Sequence, residues 1–279
     1  MADNIYLETT ALIDHVLKGW YPELSAIIRK AACISTSQYS KMEIRKGFLY
    51  YWIMLYNRTA KFESYTDVIQ LIANLSRSPK RYYLGACIDA DLDFWKNYVD
   101  RNENISSKRE ILLGLFRSNL RTQIRLCFHK IAKRVDATCN PMQCFKDLSA
   151  PVLEDEMFIK KLKNCNESRD KCNIAQYIRD NKDDFEKILN KLEGLEEKDS
   201  ETKRRISSLR KILKMIKNNE PFSNHDQNQD LCWDCGDAIH AVISPDDSTL
   251  LTRNVRHLEP ICESIGKKFK GYSSPKIGS

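Results

Sequence analysis

The 279-residue chain lacks a hydrophobic run long enough to cross a lipid bilayer. Its longest apolar run, residues 48–56, is much shorter than the roughly 20 residues that a membrane-spanning helix needs, and it predicts a buried helix instead. The amino terminus lacks a basic segment followed by a long apolar one, so we expect no signal peptide. These absences favour a cytoplasmic protein that does not bind membranes.

The ten cysteines lack the spacing of a disulfide framework, and we expect them to be reduced thiols. Cys232 and Cys235 are separated by two residues, as in half of a zinc site. A structural zinc needs four ligands, and the sequence offers no second pair. We therefore expect no zinc at these two cysteines.

Hydrophobic residues make up 42% of the chain and charged residues 30%, which is ordinary for a globular protein of one large domain or two small ones. The net charge of +7 is unevenly distributed, since residues 108–134 hold eight basic residues and one acidic residue. A surface that binds polyanions should therefore be local.

The same basic segment has the periodicity of an amphipathic helix over residues 111–135. Apolar residues recur at steps of three and four, and a basic ridge occupies every fourth position beside them: Arg117, Arg121, Arg125, His129 and Lys133. Such a ridge can neutralise a series of phosphates. The alternative is a solvated helix face with good helix formers, and both readings remain open.

Two acidic residues lie near predicted strands in the amino-terminal sixty residues. Glu8 follows the β-rich run of residues 4–7 and precedes a helical pattern. Glu43 lies in the helix predicted after a second β-like run, residues 31–35. Taken alone, Glu8 is typical of a helix start, where the helix dipole favours an acid. Glu43 alone is typical of a solvated or salt-bridged helix residue.

A third acid opens an αβ unit near the carboxyl terminus. Asp237 begins an apolar helix, residues 245–248 form a turn, and residues 249–251 form a strand that leads to Thr252 and Asn254. In a parallel sheet, the start of a helix and the carboxyl end of a strand lie at the same edge, where ligands bind. Asp237, Thr252 and Asn254 are therefore expected to face one site.

These segments, in this order, resemble the PIN-domain nuclease family. In that family the first strand ends in an acid followed by Thr and a small polar residue, and a Ser/Thr-rich segment precedes a helical Glu. A third acid opens an apolar helix, and the last motif reads Thr-x-Asn or Thr-x-Asp. The matching residues are Glu8-Thr9-Thr10, Ser35-Thr36 with Glu43, Asp237, and Thr252-Arg253-Asn254.

The resemblance implies an α/β fold with a small parallel-sheet core in two halves, residues 1–60 and 221–279. Residues 61–220 would be a large all-helical insertion. It also implies hydrolysis of phosphodiester bonds, in RNA rather than DNA, with Mg²⁺ or Mn²⁺ held by carboxylates, because hard cations prefer oxygen ligands.

Residue roles follow from the same resemblance. Glu8, Glu43 and Asp237 would be metal ligands, and Thr252 and Asn254 would orient the water on the metal or a phosphate. Further candidates come from the residues themselves: a fourth acid, Asp234, and the substrate-binding residues Arg117, Arg121, Arg125 and Lys133 of the basic ridge, with Arg253 and His257 near the last motif.

The sequence departs from the family pattern at two points. Glu8 stands where the family usually has Asp, and Asn254 and His257 stand where many members carry a fourth acid. Asp234 can supply that charge if the helix begins early enough to put it on the face of Asp237. The alternative is a catalytically degenerate PIN-like module that binds nucleic acid or protein without cleaving it. A toxin or defence effector, restrained by an inhibitory partner protein, is a further role.

The predicted insertion contains helical patterns at residues 62–75 and 82–99 and a helical hairpin at residues 184–219, which turns at residues 198–201. Two apolar stripes run along the hairpin, so its helices can pack on each other and can also recruit a partner helix. Core packing and homo-oligomer formation are both compatible with this pattern.

Overall fold

The structure is a computed structural model that describes residues 3–18, 21–74, 109–140, 142, 152–153, 157–158, 173–220 and 231–273. The helix predicted at residues 82–99 lies outside this part of the chain. The strands of the described residues are β1 (Asn4–Leu7), β2 (Cys33–Ser37), β3 (Ala137–Cys139), β4 (Val152–Leu153), β5 (Met157–Phe158), β6 (Ser248–Thr252) and β7 (Phe269–Gly271).

Five of these strands form one parallel sheet in the order β3-β2-β1-β6-β7, while β4 and β5 form a separate antiparallel pair. The helices are α1 (Thr9–Ile13), α2 (Pro22–Ile28), α3 (Gln38–Ile44), α4 (Tyr50–Thr59), α5 (Tyr65–Asn74), α6 (Arg109–Arg134), α7 (Asn173–Asp180), α8 (Lys182–Glu193), α9 (Ser200–Lys217), α10 (Leu231–Asp234), α11 (Gly236–Ile243) and α12 (Val255–Ser264). Single π-helical turns continue α1 and α3, at residues 14–18 and 45–49. The predicted α/β class with a parallel sheet is confirmed.

Helices cover both faces of the sheet because side chains alternate along each strand. In β1, Ile5 and Leu7 enter a core with α1, α4 and α6, whereas Tyr6 enters a second core with α8, α9 and α11. The neighbouring strand β6 divides in the same way, since Leu251 joins the first core and Leu250 the second. The result is a sheet between two helical layers.

The interval 61–220 is not entirely helical, contrary to the expectation. Residues 137–139 form β3, an edge strand of the central sheet, and β4 and β5 lie in the same interval. Its helices also complete both cores: Phe116 of α6 packs in the first, and Phe185 of α8 and Ile212 of α9 pack in the second. The apolar stripes of the predicted hairpin are therefore buried within this chain.

The strand order reverses between β1 and β6. From β1 the sheet continues through β2 to β3 on one side, and from β6 to β7 on the other. Tyr6 pairs in register with Ser35 and Leu250, so the three strand ends lie side by side. Open α/β sheets bind ligands in the crevice outside the carboxyl ends of the strands at such a reversal.

None of the helices in the described ranges is long and apolar enough to cross a membrane.

Candidate active site

Glu8 follows β1 directly and caps the amino end of α1. Its carboxylate accepts hydrogen bonds from the backbone N–H groups of Thr10, at 2.7 Å, and Ala11, at 3.1 Å. The side chain is buried, and burial raises the pKa of Glu8 to about 7, although His240 and the Thr10 N–H oppose the rise. The negative charges of Asp237 and Glu43 contribute to this rise, which places all three acids in one electrostatic neighbourhood.

Glu43 reaches the same edge from α3. Its Oε2 accepts a hydrogen bond from the Thr9 hydroxyl, which belongs to the residue after Glu8, and lies 2.8 Å from His240 Nε2. Its Oε1 lies against Gly236, where an added Cβ would be only 2.7 Å away. The start of α11 therefore approaches Glu43 as closely as a glycine allows.

His240 lies between these acids on the inner face of α11 and is 1% exposed. Its Nδ1 is 3.0 Å from the Tyr6 hydroxyl, which donates to Ser37 Oγ at 2.9 Å. Nε2 faces the Glu43 carboxylate, which only accepts, so Nε2 carries a proton and donates to Glu43. The Tyr6 hydroxyl can pair with Nδ1 of either the neutral or the protonated ring.

The pKa of His240 agrees with that arrangement. Burial alone lowers it, but the charges of Glu43, Glu8 and Asp237 and the hydrogen bond to Glu43 together raise the pKa of His240 above its ordinary value. The acidic cluster therefore favours the protonated form of the His240 ring.

Asp237 lies in the first turn of α11 and meets two donors from distant parts of the chain. Its Oδ2 accepts from Asn254 Nδ2 at 3.2 Å and from Arg205 NH1 of α9 at 2.7 Å. Burial raises the pKa of Asp237, while Arg205 and His240 oppose the rise. Asn254 is itself held by its backbone N–H, which donates to Thr252 Oγ1 at 2.8 Å. Asn254 therefore contacts Asp237, and Thr252 holds the backbone of Asn254.

Asp234 does not join the cluster on the face of Asp237, because the helix is broken between α10 and α11 at Cys235. Its carboxylate faces α9 instead, where Oδ2 accepts from the Ser208 hydroxyl at 2.7 Å and Oδ1 lies 2.8 Å from Arg204 Nε. The suggestion that Asp234 supplies a fourth acid to the site is therefore wrong.

Two candidate substrate-binding residues have protein partners. Arg253 NH1 donates to the Tyr21 hydroxyl at 2.8 Å and lies 3.4 Å from the buried carboxylate of Asp14. His257 Nε2 lies 3.5 Å from Glu201 of α9, and its charge acts on the pKa of Asp237. His257 thus borders the acidic cluster, whereas Arg253 is held within the fold by Asp14 and Tyr21.

The basic ridge lies on α6, which packs against α4 and α5. Arg125 and Lys133 are exposed and Arg121 is half-buried. Arg117 is also half-buried, and its guanidinium lies over the Tyr56 ring at 5.3 Å. The ridge is therefore a partly exposed basic surface on the helical layer that covers the first core. Among the described residues, none of its four predicted binding residues forms an ion pair with the acidic cluster.

The sequence interpretation missed the cations of the site. Neither His240 nor Arg205 is among the site residues that the sequence predicts. A histidine three residues after Asp237 on an apolar helix is the one local signal that points to the cluster, because the two residues share a helix face. Nothing local to Arg205 indicates its partner.

The donor set matches a hard divalent cation in kind, since it consists of carboxylates with an amide and a hydroxyl nearby. It does not match in placement: within the described ranges, no group of three or more His, Cys, Asp or Glu side chains is arranged to hold a metal ion. His240 and Arg205 instead hold Glu43 and Asp237. Two of the three acids, Glu43 and Asp237, therefore already have a basic partner within the protein.

The fold and the site together define a three-layer α/β protein with an acidic cluster at the carboxyl edge of a parallel sheet. Comparison with family models, curated proteins and solved structures gives no match for this chain.

Proposed function

We propose that this protein is a cytoplasmic nuclease with a PIN-like core, which hydrolyses phosphodiester bonds, in RNA rather than DNA, with Mg²⁺ or Mn²⁺. One observation carries the proposal: Glu8, Glu43 and Asp237 come from three distant parts of the chain and act on one another electrostatically where the strand order reverses. The RNA preference and the PIN-like assignment depend on the sequence resemblance.

The energetic cost of the cluster favours a binding function over a structural one. Burying a carboxylate is unfavourable, and both Glu8 and Asp237 have raised pKa values because burial penalises their charged forms. Helix capping alone explains Glu8, but it does not explain why two further acids lie beside it. His240 and Arg205 are partners of Glu43 and Asp237, and a hard divalent cation would offset the repulsion that remains.

In the proposed enzyme, Glu8, Glu43 and Asp237 would hold the metal, and the metal would supply an activated water and stabilise the leaving oxygen. The protein's own residues would do the positioning. Thr252 fixes the backbone of Asn254, and Asn254 fixes the carboxylate of Asp237. Thr9, through its hydroxyl, holds Glu43 in the same way.

The basic ridge of α6 supports a polyanionic substrate. Its exposed members, Arg125 and Lys133, can neutralise phosphates without reading bases, so that binding would be sensitive to salt and largely independent of sequence. Such binding would bring many nucleic acids to the protein, and the acidic cluster would then determine whether they are cleaved.

A second candidate function is a degenerate PIN-like module that binds nucleic acid or protein without cleaving it. The specific observation in its favour is that His240 and Arg205 already neutralise Glu43 and Asp237. A site that uses its own cations permanently would have no need of a metal.

A cleavage assay separates the two functions. The purified full chain is incubated with single-stranded RNA, structured RNA and single-stranded DNA, each with Mn²⁺, with Mg²⁺ and with EDTA. We expect the protein to cleave RNA with Mn²⁺ or Mg²⁺ and to cleave none with EDTA. Binding of the same RNA without cleavage under every metal condition would favour the degenerate module.

A further inference from the structure

We propose that Cys232 and Cys235 form a reversible intramolecular disulfide when a low-molecular-weight disulfide oxidises them, and that this bond changes the surroundings of the Glu43–His240 pair. They are the only two cysteines in the chain that are three positions apart. Both are thiols in the structure. The inference depends neither on the proposed nuclease activity nor on a metal ion.

The backbone already holds the two cysteines at a distance that a disulfide can bridge. Cys232 lies in α10, and the Cys235 N–H continues the helical pattern by donating to the Leu231 carbonyl at 3.3 Å. Residues three apart in a helix have Cα atoms about 5 Å apart, as the helical rise and radius require. Disulfides join Cα atoms that are roughly 4.4 to 6.8 Å apart. The two residues are therefore close enough without any change of fold.

The two thiols differ in accessibility, which gives each its own role. Cys232 is half-buried, so a small oxidant can reach it, whereas Cys235 is 2% exposed. Burial raises the pKa of Tyr39, and the charges of Glu43 and of both cysteines contribute to the rise, which places both sulfur atoms near one hydroxyl. Cys232 is thus the thiol that reacts first, and Cys235 is the neighbour that completes the bond.

Thiol–disulfide exchange forms the bond in two steps. The Cys232 sulfur attacks one sulfur of the oxidant, whose S–S bond breaks, and the departing small thiolate takes the proton that Cys232 gives up. The Cys235 sulfur then attacks Cys232 Sγ in this mixed disulfide and releases a second small thiolate, which takes the Cys235 proton. Two protein thiols are oxidised to one disulfide, and the small disulfide is reduced to two thiols.

The bond is easy to reduce because the turn must tighten to close it. Side chains three apart on a helix have Cβ atoms about 5 to 6 Å apart, whereas a disulfide needs about 3.5 to 4.5 Å. Cys235 has a φ of −89° and a ψ of 2°, so the helix is already interrupted where the turn has to move. Strained, accessible disulfides are the labile ones, and such bonds act as redox sensors in reducing compartments.

The same turn contacts the acidic cluster at two points. The Tyr39 hydroxyl donates to the Cys232 carbonyl at 3.2 Å, and the Tyr39 ring meets the His240 ring edge-on with centroids 5.2 Å apart. Gly236, the next residue after the pair, lies against Glu43 Oε1. Tightening the turn therefore moves groups that touch both members of the Glu43–His240 pair.

The test treats the reduced full chain with mixtures of glutathione and glutathione disulfide and then counts thiols by mass spectrometry. Remaining thiols are labelled with N-ethylmaleimide in denaturant before digestion with trypsin, which cleaves after Lys and Arg. Both cysteines fall in one peptide, residues 218–253, which contains no other cysteine. We expect this peptide to lose both labels and the mass of two hydrogens on oxidation, and to regain both labels after dithiothreitol.

Three variants assign the bond to this pair. Cys235→Ser keeps the accessible thiol without its partner, so the reaction should stop at a glutathione adduct on Cys232. Cys232→Ser should keep Cys235 reduced, because the buried thiol is not reached. Cys262→Ser is the matched control: Cys262 is also buried in the second core, and this variant should oxidise as the natural chain does. If a serine variant does not fold, the alanine variant takes its place.

NMR of the histidine rings tests whether the bond is sensed at the acidic cluster. Oxidation should shift the His240 signals, which are assigned through their contacts with the Tyr39 ring. The signals of His15, which lies against Arg134 far from the cluster, should stay in place. The same treatment of Cys232→Ser should shift neither set of signals.

The inference is overturned if glutathione disulfide leaves both labels on the 218–253 peptide, or if the natural chain stops at glutathione adducts as Cys235→Ser does. Oxidation of Cys232→Ser at the rate of the natural chain would also contradict it. A disulfide that forms without any shift of the His240 signals would overturn its effect on the acidic cluster. None of these outcomes depends on RNA cleavage, so failure of the proposed function would be seen separately.

Discussion

His240 Nε2 lies 2.8 Å from Glu43 Oε2, in a pair that joins α11 to α3 at the carboxyl edge of the sheet. The same nitrogen lies 3.0 Å from the Thr9 hydroxyl, and Thr9 follows Glu8. One buried imidazole therefore connects all the segments that bring acids to the site.

The acidic cluster should make the protein less stable as the pH rises through neutrality. Glu8 has an ordinary pKa of 4.5 and a folded pKa of about 7, so the folded state binds this proton more tightly than the unfolded state. Its contribution to the free energy of unfolding is complete below pH 4.5 and is lost as the pH rises through 7. His240 has a raised pKa as well, and its contribution is lost in the same direction.

Urea unfolding of the natural chain and of Glu8→Gln at several pH values between 4.5 and 8 measures this effect. Gln cannot ionise, so the difference in unfolding free energy between the two proteins should change by about 1 to 3 kcal/mol across the range, in favour of Glu8→Gln at high pH. A difference that is constant with pH would mean that Glu8 is not perturbed by its surroundings.

Gly236 should be required for the position of Glu43. A Cβ at this residue would lie 2.7 Å from Glu43 Oε1, so Gly236→Ala should push the carboxylate away from His240. Metal-dependent cleavage is expected to fall about tenfold or more, because small displacements of reacting groups are costly. Gly114→Ala is the control, since an added Cβ there has nothing within 4 Å and the residue lies inside α6.

The control variant Gly114→Ala should have a free energy of unfolding about 0.5 to 1 kcal/mol higher than that of the natural chain, because Ala forms helices better than Gly. Its cleavage rate should be unchanged. Cleavage rates and urea unfolding of both variants measure these effects. Equal cleavage by Gly236→Ala and the natural chain would show that the close approach of α11 to Glu43 has no functional importance.

The exposed part of the basic ridge should contribute to RNA binding in a salt-dependent way. Replacing Arg125 and Lys133 by Gln should lower the slope of log affinity against log salt by about 1.4, at roughly 0.7 for each phosphate of a single strand. Fluorescence anisotropy with labelled single-stranded RNA at several salt concentrations measures the slope. Replacing Lys187 and Lys214, which are exposed on α8 and α9, is the matched control. Equal slopes for both double variants would exclude the ridge as the binding surface.

The edge of the sheet where the acids meet could be predicted because its determinants are local. The strand of residues 4–7 lies where its β-rich run predicts, and β6 extends the predicted strand of residues 249–251 by one residue at each end. The second strand spans Cys33–Ser37, so it begins and ends two residues later than the predicted run of residues 31–35. Ser37 does cap α3, but Thr36 belongs to β2 and donates its hydroxyl to the Leu7 carbonyl.

The charge balance of the site could not be predicted, because it depends on tertiary packing. Arg205 lies on a helix whose sequence shows only an apolar stripe and a charged face, and Asp237 is its partner only because α9 packs against α10 beside α11. The edge strand β3 was missed for another reason: it has three residues, two of them exposed, and so too little alternation to stand out.

The most direct test of the account compares Asp237→Asn with Asp234→Asn in metal-dependent RNA cleavage. Both variants remove one negative charge, but only Asp237 belongs to the acidic cluster, whereas Asp234 faces Arg204 and Ser208. We expect Asp237→Asn to lose cleavage by about 100-fold or more while it keeps its fold and most of its RNA binding. Asp234→Asn is expected to cleave at the natural rate. Full cleavage by Asp237→Asn would contradict the account.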